Sequence, residues 1–251
     1  MTRLLASVCA LALLAASPAF AGPPTTIVSA PNQSLVSNVL TLTATGACPA
    51  GSMALAVFAD YNGNNTTTMT DSRGNTWTSD TWTWGSANTA GVIWRSSLTA
   101  GLQVGDTLTV NFSATTAAYA VVDCIGASVT SDPTGKGGAG GSYTGTNVTV
   151  TDSGSPPTNA ARVFFATFMP SQFDQFTTSG GWTLADSAMN GTGIGIKVYY
   201  QDVAPGATST QTYTNNTSAN GQWTSLWHSF SIPAGGGPTV QSQPMTLLGV
   251  Q

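Results

Sequence analysis

The sequence predicts an all-β protein, an antiparallel two-sheet sandwich of jelly-roll-like form, and three observations lead to this fold class. Apolar segments of strand length alternate with clusters of Asn, Gly, Asp and Pro, and no stretch has helical periodicity. Only 6% of the 251 residues are charged and Glu is absent, which argues against helical bundles and coiled coils. The 7 Trp, 6 Tyr and 9 Phe can fill a core and argue against disorder.

Strand patterns follow one another along the chain, separated by turn residues. Met53–Phe58 is apolar throughout, as in a buried strand, and Thr107–Phe112 alternates with period 2, as in a half-buried one. The other predicted strands are Gly91–Leu98, Tyr119–Ile125, Asn147–Thr151, Arg162–Met169, Trp182–Ala185, Ile194–Tyr200, Thr208–Thr214 and Trp223–Ile232. Such closely spaced short strands are typical of a sandwich or barrel.

A weak internal repeat relates the two halves of the chain, residues 25–132 and 146–233. Ala54–Ala59 matches Val163–Phe168, Ala118–Ala127 matches Trp223–Ile232, and the order of the elements is kept. The repeat is compatible with one sandwich of intertwined halves or with two consecutive small sandwiches.

We expect the intertwined form, a single domain over 22–233, because only the first half carries cysteines after the export signal. The glycine-rich stretch Gly135–Gly145 is the predicted midpoint between the halves.

The two ends of the chain have different predicted roles. Residues 1–21 have the pattern of a secretory signal peptide: Arg3, a short apolar run, and the cleavage site Ala19-Phe20-Ala21. Residues 234–251 are predicted to be a Gly/Pro linker and tail. We therefore expect a secreted or cell-surface protein, with the periplasm as the alternative location. No membrane span is expected, since no later apolar stretch approaches the roughly 20 residues that a span requires.

Two cysteines remain after the predicted signal, Cys48 and Cys124. In an oxidising compartment such a pair is expected to form a disulfide, and two buried free thiols are the alternative.

A motif gives the sequence one family resemblance. Thr70-Asp71-Ser72-Arg73-Gly74-Asn75-Thr76-Trp77 is followed by Gly105–Val110 and by Gly181-Trp182-Thr183-Leu184. This arrangement resembles a group of uncharacterised secreted bacterial and phage-associated β-sandwich domains with a D-S-x-G-N-x-aromatic motif. The resemblance implies a jelly-roll or immunoglobulin-like sandwich in a surface or extracellular protein, and it implies no catalytic residues.

Candidates for catalysis are few. The chain has one histidine, His228, and no G-x-S-x-G elbow, so a nucleophilic hydrolase would have to be built on that residue. Asp123 interrupts an apolar strand and either faces solvent or is buried and hydrogen bonded. We assign no catalytic residue, although an extracellular hydrolase is kept as the second alternative function. A net charge of -4 argues against a nucleic-acid partner.

A metal or cofactor has weak support in the sequence. Asp60, Asn62, Asn64 and Asp71 present oxygen ligands that could suit Ca²⁺, but the spacing departs from an EF-hand and an ordinary Asn-Gly turn explains it as well. No other cofactor is expected.

The aromatic residues are the candidate ligand-binding site. Trp82 and Trp84 are two positions apart on a predicted strand and so project from the same face, and Trp94 is close in sequence. Exposed indoles beside polar residues are suited to stacking on sugar rings. The sequence thus favours a non-catalytic binding module for polysaccharide or a cell-surface glycan. The alternative is a structural subunit of a filament, fibre or surface layer that self-associates through strand edges.

Overall fold

The computed structural model describes residues 22–34, 37–60, 66–84, 89–113, 117–127, 129–151, 161–169, 176–191 and 193–231. These residues form antiparallel strands and contain no helix, which confirms the predicted all-β sandwich. The predicted signal peptide at 1–21 and the predicted tail at 234–251 lie outside the described residues. In chain order the strands are β1 (Thr25–Ser34), β2 (Val39–Thr43), β3 (Ser52–Asp60), β4 (Thr66–Asp71), β5 (Thr78–Trp84), β6 (Ala90–Ser97), β7 (Thr107–Phe112), β8 (Ala117–Ala127), β9 (Thr130–Thr151), β10 (Ala161–Met169), β11 (Phe176–Ser179), β12 (Thr183–Met189), β13 (Gly195–Val203) and β14 (Thr210–Ser231).

The first half, β1 to β8, is a small jelly-roll-like sandwich. A five-stranded sheet in the order β1-β8-β3-β6-β5 packs against a three-stranded sheet in the order β2-β7-β4. Side chains from both sheets, including Phe58, Leu108 and Val122, form one buried cluster between them. The alternation of β7 is that of a strand with one face on this core, as its sequence predicts.

The second half, β9 to β14, repeats this strand order. Residues 130–145 of β9 pair with 219–231 of β14, and the sheet continues through β10 and β13 to β12. Residues 147–151 of β9 and the strand β11 pair on either side of the first part of β14. Each of these two 22-residue strands therefore belongs to both layers. The two parts of β9 correspond to β1 and β2 of the first half, and the two parts of β14 correspond to β7 and β8.

The two halves do not exchange strands, which corrects the expectation of one intertwined sandwich. Every strand pair among the described residues joins two strands of the same half. The cysteine argument misled because the second half fills its core with aromatic rings instead. Phe165, Tyr199, Tyr213 and Trp227 are among the buried residues of its outer cluster.

The glycine-rich stretch Gly135–Gly145 is part of β9 and is not a linker between the halves. Gly137 lies opposite Trp227 and Gly141 opposite Trp223 in the pairing with β14. A Cβ on Gly137 would lie 2.4 Å from the Trp227 indole nitrogen, so the indole occupies the space of the missing side chain. The glycines make room for tryptophans on the neighbouring strand.

The large sheets of the two halves pack face to face and form the main apolar junction. Leu55, Val57 and Val121 of the first half share a buried cluster with Phe164 and Phe230 of the second. Strand β1 lies against β12, and β5 lies against β9. Since β5 and β12 are equivalent in the repeat, as are β1 and β9, the halves are related by an approximate two-fold axis.

The predicted disulfide between Cys48 and Cys124 is confirmed. Cys48 lies between β2 and β3, where its backbone also pairs with Leu102, and Cys124 lies on β8. The bridge joins the segment between β2 and β3 to strand β8 of the large sheet, across a separation of 76 residues.

Candidate functional sites at the junction of the halves

The two-fold relation places Asp123 and His228 at equivalent positions on the junction. Asp123 of β8 lies opposite Leu55 of β3, and His228 of β14 lies opposite Phe164 of β10. Leu55 and Phe164 are themselves equivalent in the repeat and belong to the same buried cluster. Asp123 and His228, the two residues that the sequence analysis considered for catalysis, thus occupy equivalent positions in the two halves but differ in their chemistry.

His228 belongs to a polar cluster that joins both halves. Its Nε2 lies 3.0 Å from the Ser131 hydroxyl and 3.7 Å from an oxygen of Asp80. The same Asp80 carboxylate accepts hydrogen bonds from the Arg95 guanidinium and from Lys136 Nζ, the latter at 3.4 Å. We call these five residues the Asp80 cluster. Asp80 and Arg95 come from β5 and β6, and the other three come from β9 and β14, so the cluster links the halves.

The Asp80 cluster does not have the geometry of a Ser-His-Asp triad. In a triad the serine and the carboxylate contact opposite ring nitrogens, so that the carboxylate orients the base. Here Ser131 and Asp80 both approach Nε2, and no residue that the structure describes forms a hydrogen bond with Nδ1 of His228. His228 is also 0% exposed, which leaves no route for a substrate to its ring. This arrangement holds the halves together and does not prepare a nucleophile.

Because His228 is buried, its protonation makes the free energy of unfolding depend on pH. Desolvation lowers its pKa from 6.5 to about 4, although Asp80 acts in the opposite direction. Between these values the unfolded chain binds more protons than the folded one. Stability is therefore complete above pH 6.5 and falls as the pH drops towards 4.

We expect the His228→Gln variant, whose amide nitrogen can replace Nε2, to lose this contribution. Relative to the variant, the wild type should lose up to about 3 kcal/mol of unfolding free energy between pH 7 and 4. Urea unfolding at several pH values measures the difference. A difference that stays constant with pH would contradict the assignment.

The equivalent site around Asp123 is acidic. Asp123 is 1% exposed, and neither of its carboxylate oxygens has a hydrogen-bond partner among the described residues. Burial raises its pKa well above the usual value, and the nearby Asp186 carboxylate on β12 raises it further. Burial also raises the pKa of Asp186, whose Oδ1 accepts the Ser187 backbone N–H at 2.6 Å. The prediction that Asp123 would be solvated or hydrogen bonded is thus wrong in both forms.

The turn after β4, which carries the D-S-x-G-N-x-W motif, has a structural role. The Asp71 carboxylate accepts hydrogen bonds from the Arg73 and Asn75 backbones and from the Asn75 and Trp77 side chains, at 2.7–3.1 Å. Gly74 adopts φ 73°, which favours glycine. The Asn75 side chain also binds the backbone of Ala100 in both directions. These contacts explain the D-S-x-G-N-x-W spacing without a ligand.

The predicted calcium loop is only partly described. Asn62 and Asn64 lie outside the described residues, Asp60 is 1% exposed at the end of β3, and Asp71 is engaged in its own turn. Among the described residues, no group of three or more His, Cys, Asp or Glu side chains is placed to hold a metal ion.

Of the predicted ligand-binding tryptophans, only Trp94 has a described side chain, and it is buried. Trp94 is 6% exposed within the core of the first half, so its ring is not available to a surface ligand. Both faces of β6 are covered, one by the small sheet and the other by the second half, so alternation could not leave this indole outside. Trp82 and Trp84 lie on β5, but their side chains are outside the described set.

Sequence reasoning missed the partly exposed tryptophans of the second half. Trp77 and Trp227 are buried, whereas Trp182 and Trp223 are half-buried at the margin of the outer cluster. It also missed Asp80, Arg95 and Lys136, which lie on three separate strands, β5, β6 and β9. The available signal was the repeat itself: aligning the two halves makes Asp123 equivalent to His228, and two polar residues at one position of an apolar strand indicate a site at the junction.

No helix among the described residues is long and apolar enough to span a membrane. Comparison of the chain with family models, curated proteins and solved structures found no significant match.

Proposed function

We propose that this chain is a secreted, non-catalytic binding module that takes a polysaccharide or cell-surface glycan on aromatic side chains. The observation that carries the proposal is the surface around Trp182 in the second half. Trp182 is half-buried, and Leu184, two residues further on, is 48% exposed. Apart from Val104, Leu184 is the only large hydrophobic side chain found exposed among the described residues.

Comparison with the equivalent turn of the first half shows how Trp182 becomes accessible. There Trp77 is 7% exposed and donates its indole N–H to Asp71. In the second half Gly180 and Gly181 precede the tryptophan, and its N–H instead donates to the Thr210 carbonyl at 3.0 Å. The repeat has therefore kept the indole but has lost the carboxylate turn that covers it.

Trp182 is held in a fixed orientation. Its ring packs edge-on against Phe165 with centroids 4.9 Å apart, and the Thr210 hydrogen bond holds its other edge. The Gln201 amide, which donates to the Gly180 carbonyl, and the exposed Thr183 add polar groups nearby. A fixed aromatic surface with polar neighbours suits a sugar ring, because little side-chain freedom is lost on binding.

The sheet edges favour a discrete module over a filament subunit. The edge strands of the two large sheets are β1, β5, β9 and β12. Register shifts interrupt the pairing of β1, β5 and β12 with their neighbours, and they interrupt the pairing of β9 with β14 at two places. Asp80 turns its charge inward from β5, and β9 carries Pro133 and Lys136. Such features oppose strand addition at an edge.

The test is binding to a panel of soluble polysaccharides, measured by quenching of tryptophan fluorescence and by pull-down on the insoluble forms. We expect Trp182→Ala to weaken binding at least about tenfold, and the surface variant Leu184→Ser to weaken it less. Val104→Ser, which alters a 68% exposed side chain of the first half, is the matched control and should bind as the wild type does.

A double variant, Trp82→Ala with Trp84→Ala, measures the contribution predicted for β5. Loss of binding only in this variant would move the site to the first half. Absence of binding by the wild type, or unchanged affinity in all the tryptophan variants, would overturn the proposed function.

A further inference from the structure

The acidic site at the junction differs from the Asp80 cluster in the residue that replaces His228, which is Asp123, and in the source of positive charge. In the Asp80 cluster the chain supplies Arg95 and Lys136 to a buried carboxylate. Lys136 lies opposite His228, and the residue in the matching place opposite Asp123 is Thr26. Arg95 lies opposite Leu55, and the residue in the matching place opposite Phe164 is Tyr200. Both cationic positions are thus replaced by hydroxyl groups.

The carboxylates at the acidic site retain unused oxygens. Asp123 has two buried oxygens without a hydrogen-bond partner, and Asp186 has one. Asp123 lies on the face of β8 that carries Tyr119, Val121 and Ile125, so its carboxylate points from the first half towards the second. An ionised carboxylate in that position is costly unless a counter-charge is present.

The described residues supply no such counter-charge from within the chain. Among the described residues, the charged group that acts on Asp123 is Asp186, and it is repulsive. Arg162, on the equivalent face of β10, is engaged by Asp202 at 2.7 Å and by the Gly22 carbonyl at 2.7 Å. The Thr26 hydroxyl contacts the Asp186 carboxylate, which adds a further oxygen to the site.

We propose that Asp123 and Asp186, with the Thr26 hydroxyl, bind a hard divalent cation, Ca²⁺ being the one to test, at the junction between the two halves. Carboxylate and hydroxyl oxygens are ligands of Ca²⁺, and water completes the coordination. The cation performs the role that Arg95 and Lys136 have in the equivalent cluster. Two carboxylates place the site in the weak class of extracellular calcium modules, with Kd of about 0.1–1 mM. Asp186 is only half-buried, which gives the ion a route from solvent.

Thermal unfolding of the purified full chain at pH 7 tests the site. We compare EDTA with about 10 mM CaCl₂ and with NaCl of equal ionic strength, and expect calcium to raise Tm by roughly 3–5 °C. Asp123→Asn and Asp186→Asn should each abolish this rise. Equilibrium dialysis with ⁴⁵Ca²⁺ should show binding by the wild type at this site and its loss in both variants.

Asp71→Asn is the control, because it alters a carboxylate of the calcium loop predicted from the sequence. It should keep the calcium response, measured against its own Tm in EDTA. Loss of the response in Asp71→Asn with its retention in Asp123→Asn would place the ion in that loop and overturn the proposal. A wild-type Tm indifferent to calcium, with Asp123→Asn raising Tm equally in EDTA and calcium, would show a proton-sharing carboxyl pair instead.

Discussion

Replacing Cys48 and Cys124 together by alanine is expected to lower the free energy of unfolding by about 4 kcal/mol. The bridge closes a loop of 76 residues, and removing it restores that freedom to the unfolded chain. Both residues are buried, at 0% and 7% exposure, so alanine avoids placing a hydroxyl in the core. Urea unfolding followed by circular dichroism measures the loss.

The second half provides an internal control for this experiment, since it contains no cysteine. Hydrogen exchange in the double alanine variant should speed up first in β3 and β8, and least in β10 and β13. Free thiols that react in the native wild type, or a loss below about 1 kcal/mol, would contradict the expected role of the bridge.

Asp80→Ala is expected to have the second largest effect, a loss of about 3 kcal/mol of unfolding free energy. The Asp80 side chain is 3% exposed and holds Arg95 from its own half and Lys136 from the other. Its removal leaves two positive charges together beside His228 without their counter-charge. The cost falls below that of a fully buried pair because Arg95 is 26% exposed and Lys136 is 37% exposed.

Arg73→Ala is the matched control for Asp80→Ala. Arg73 forms an ion pair with Asp106 at 2.7 Å, but its side chain is 43% exposed and the pair lies within the first half. Its loss should cost less than about 1 kcal/mol. Urea unfolding at pH 7 compares the two variants, and equal losses would show that the Asp80 cluster does not hold the halves together.

The count of cysteines in each half did not indicate how the halves are arranged, because only the first half contains a disulfide. The matched segments 54–59 and 163–168 became β3 and β10, the central strands of the two large sheets. Neither half needed strands from the other, because aromatic side chains can close a core as a disulfide does. The sequence alone could not show which half would stabilise its core by a disulfide and which by aromatic packing, since the packing of rings depends on neighbours that are distant along the chain.

The burial of Trp94 and Asp123 shows where pattern reasoning fails. Alternation assigns one face of a strand to the core and the other to solvent. In this protein β3 is buried along its whole length, because the sheet that contains it lies between the small sheet and the second half. Residues on either face of the sheet beside β3 are internal, so an indole at Trp94 or a carboxylate at Asp123 is buried whatever its neighbours in the sequence suggest.

Local residue patterns determined the all-β class, most of the strand positions and the pairing of the two cysteines, because period-2 alternation and turn chemistry act over a few residues. Tertiary structure decided how the halves stack, and with it the environments of Asp80, Asp123 and His228. Those environments arise from side chains brought together from different strands, as with Ser131 and His228, which are 97 positions apart. Contacts at such separations leave no periodic trace in the chain, since each partner lies in a segment that is ordinary on its own.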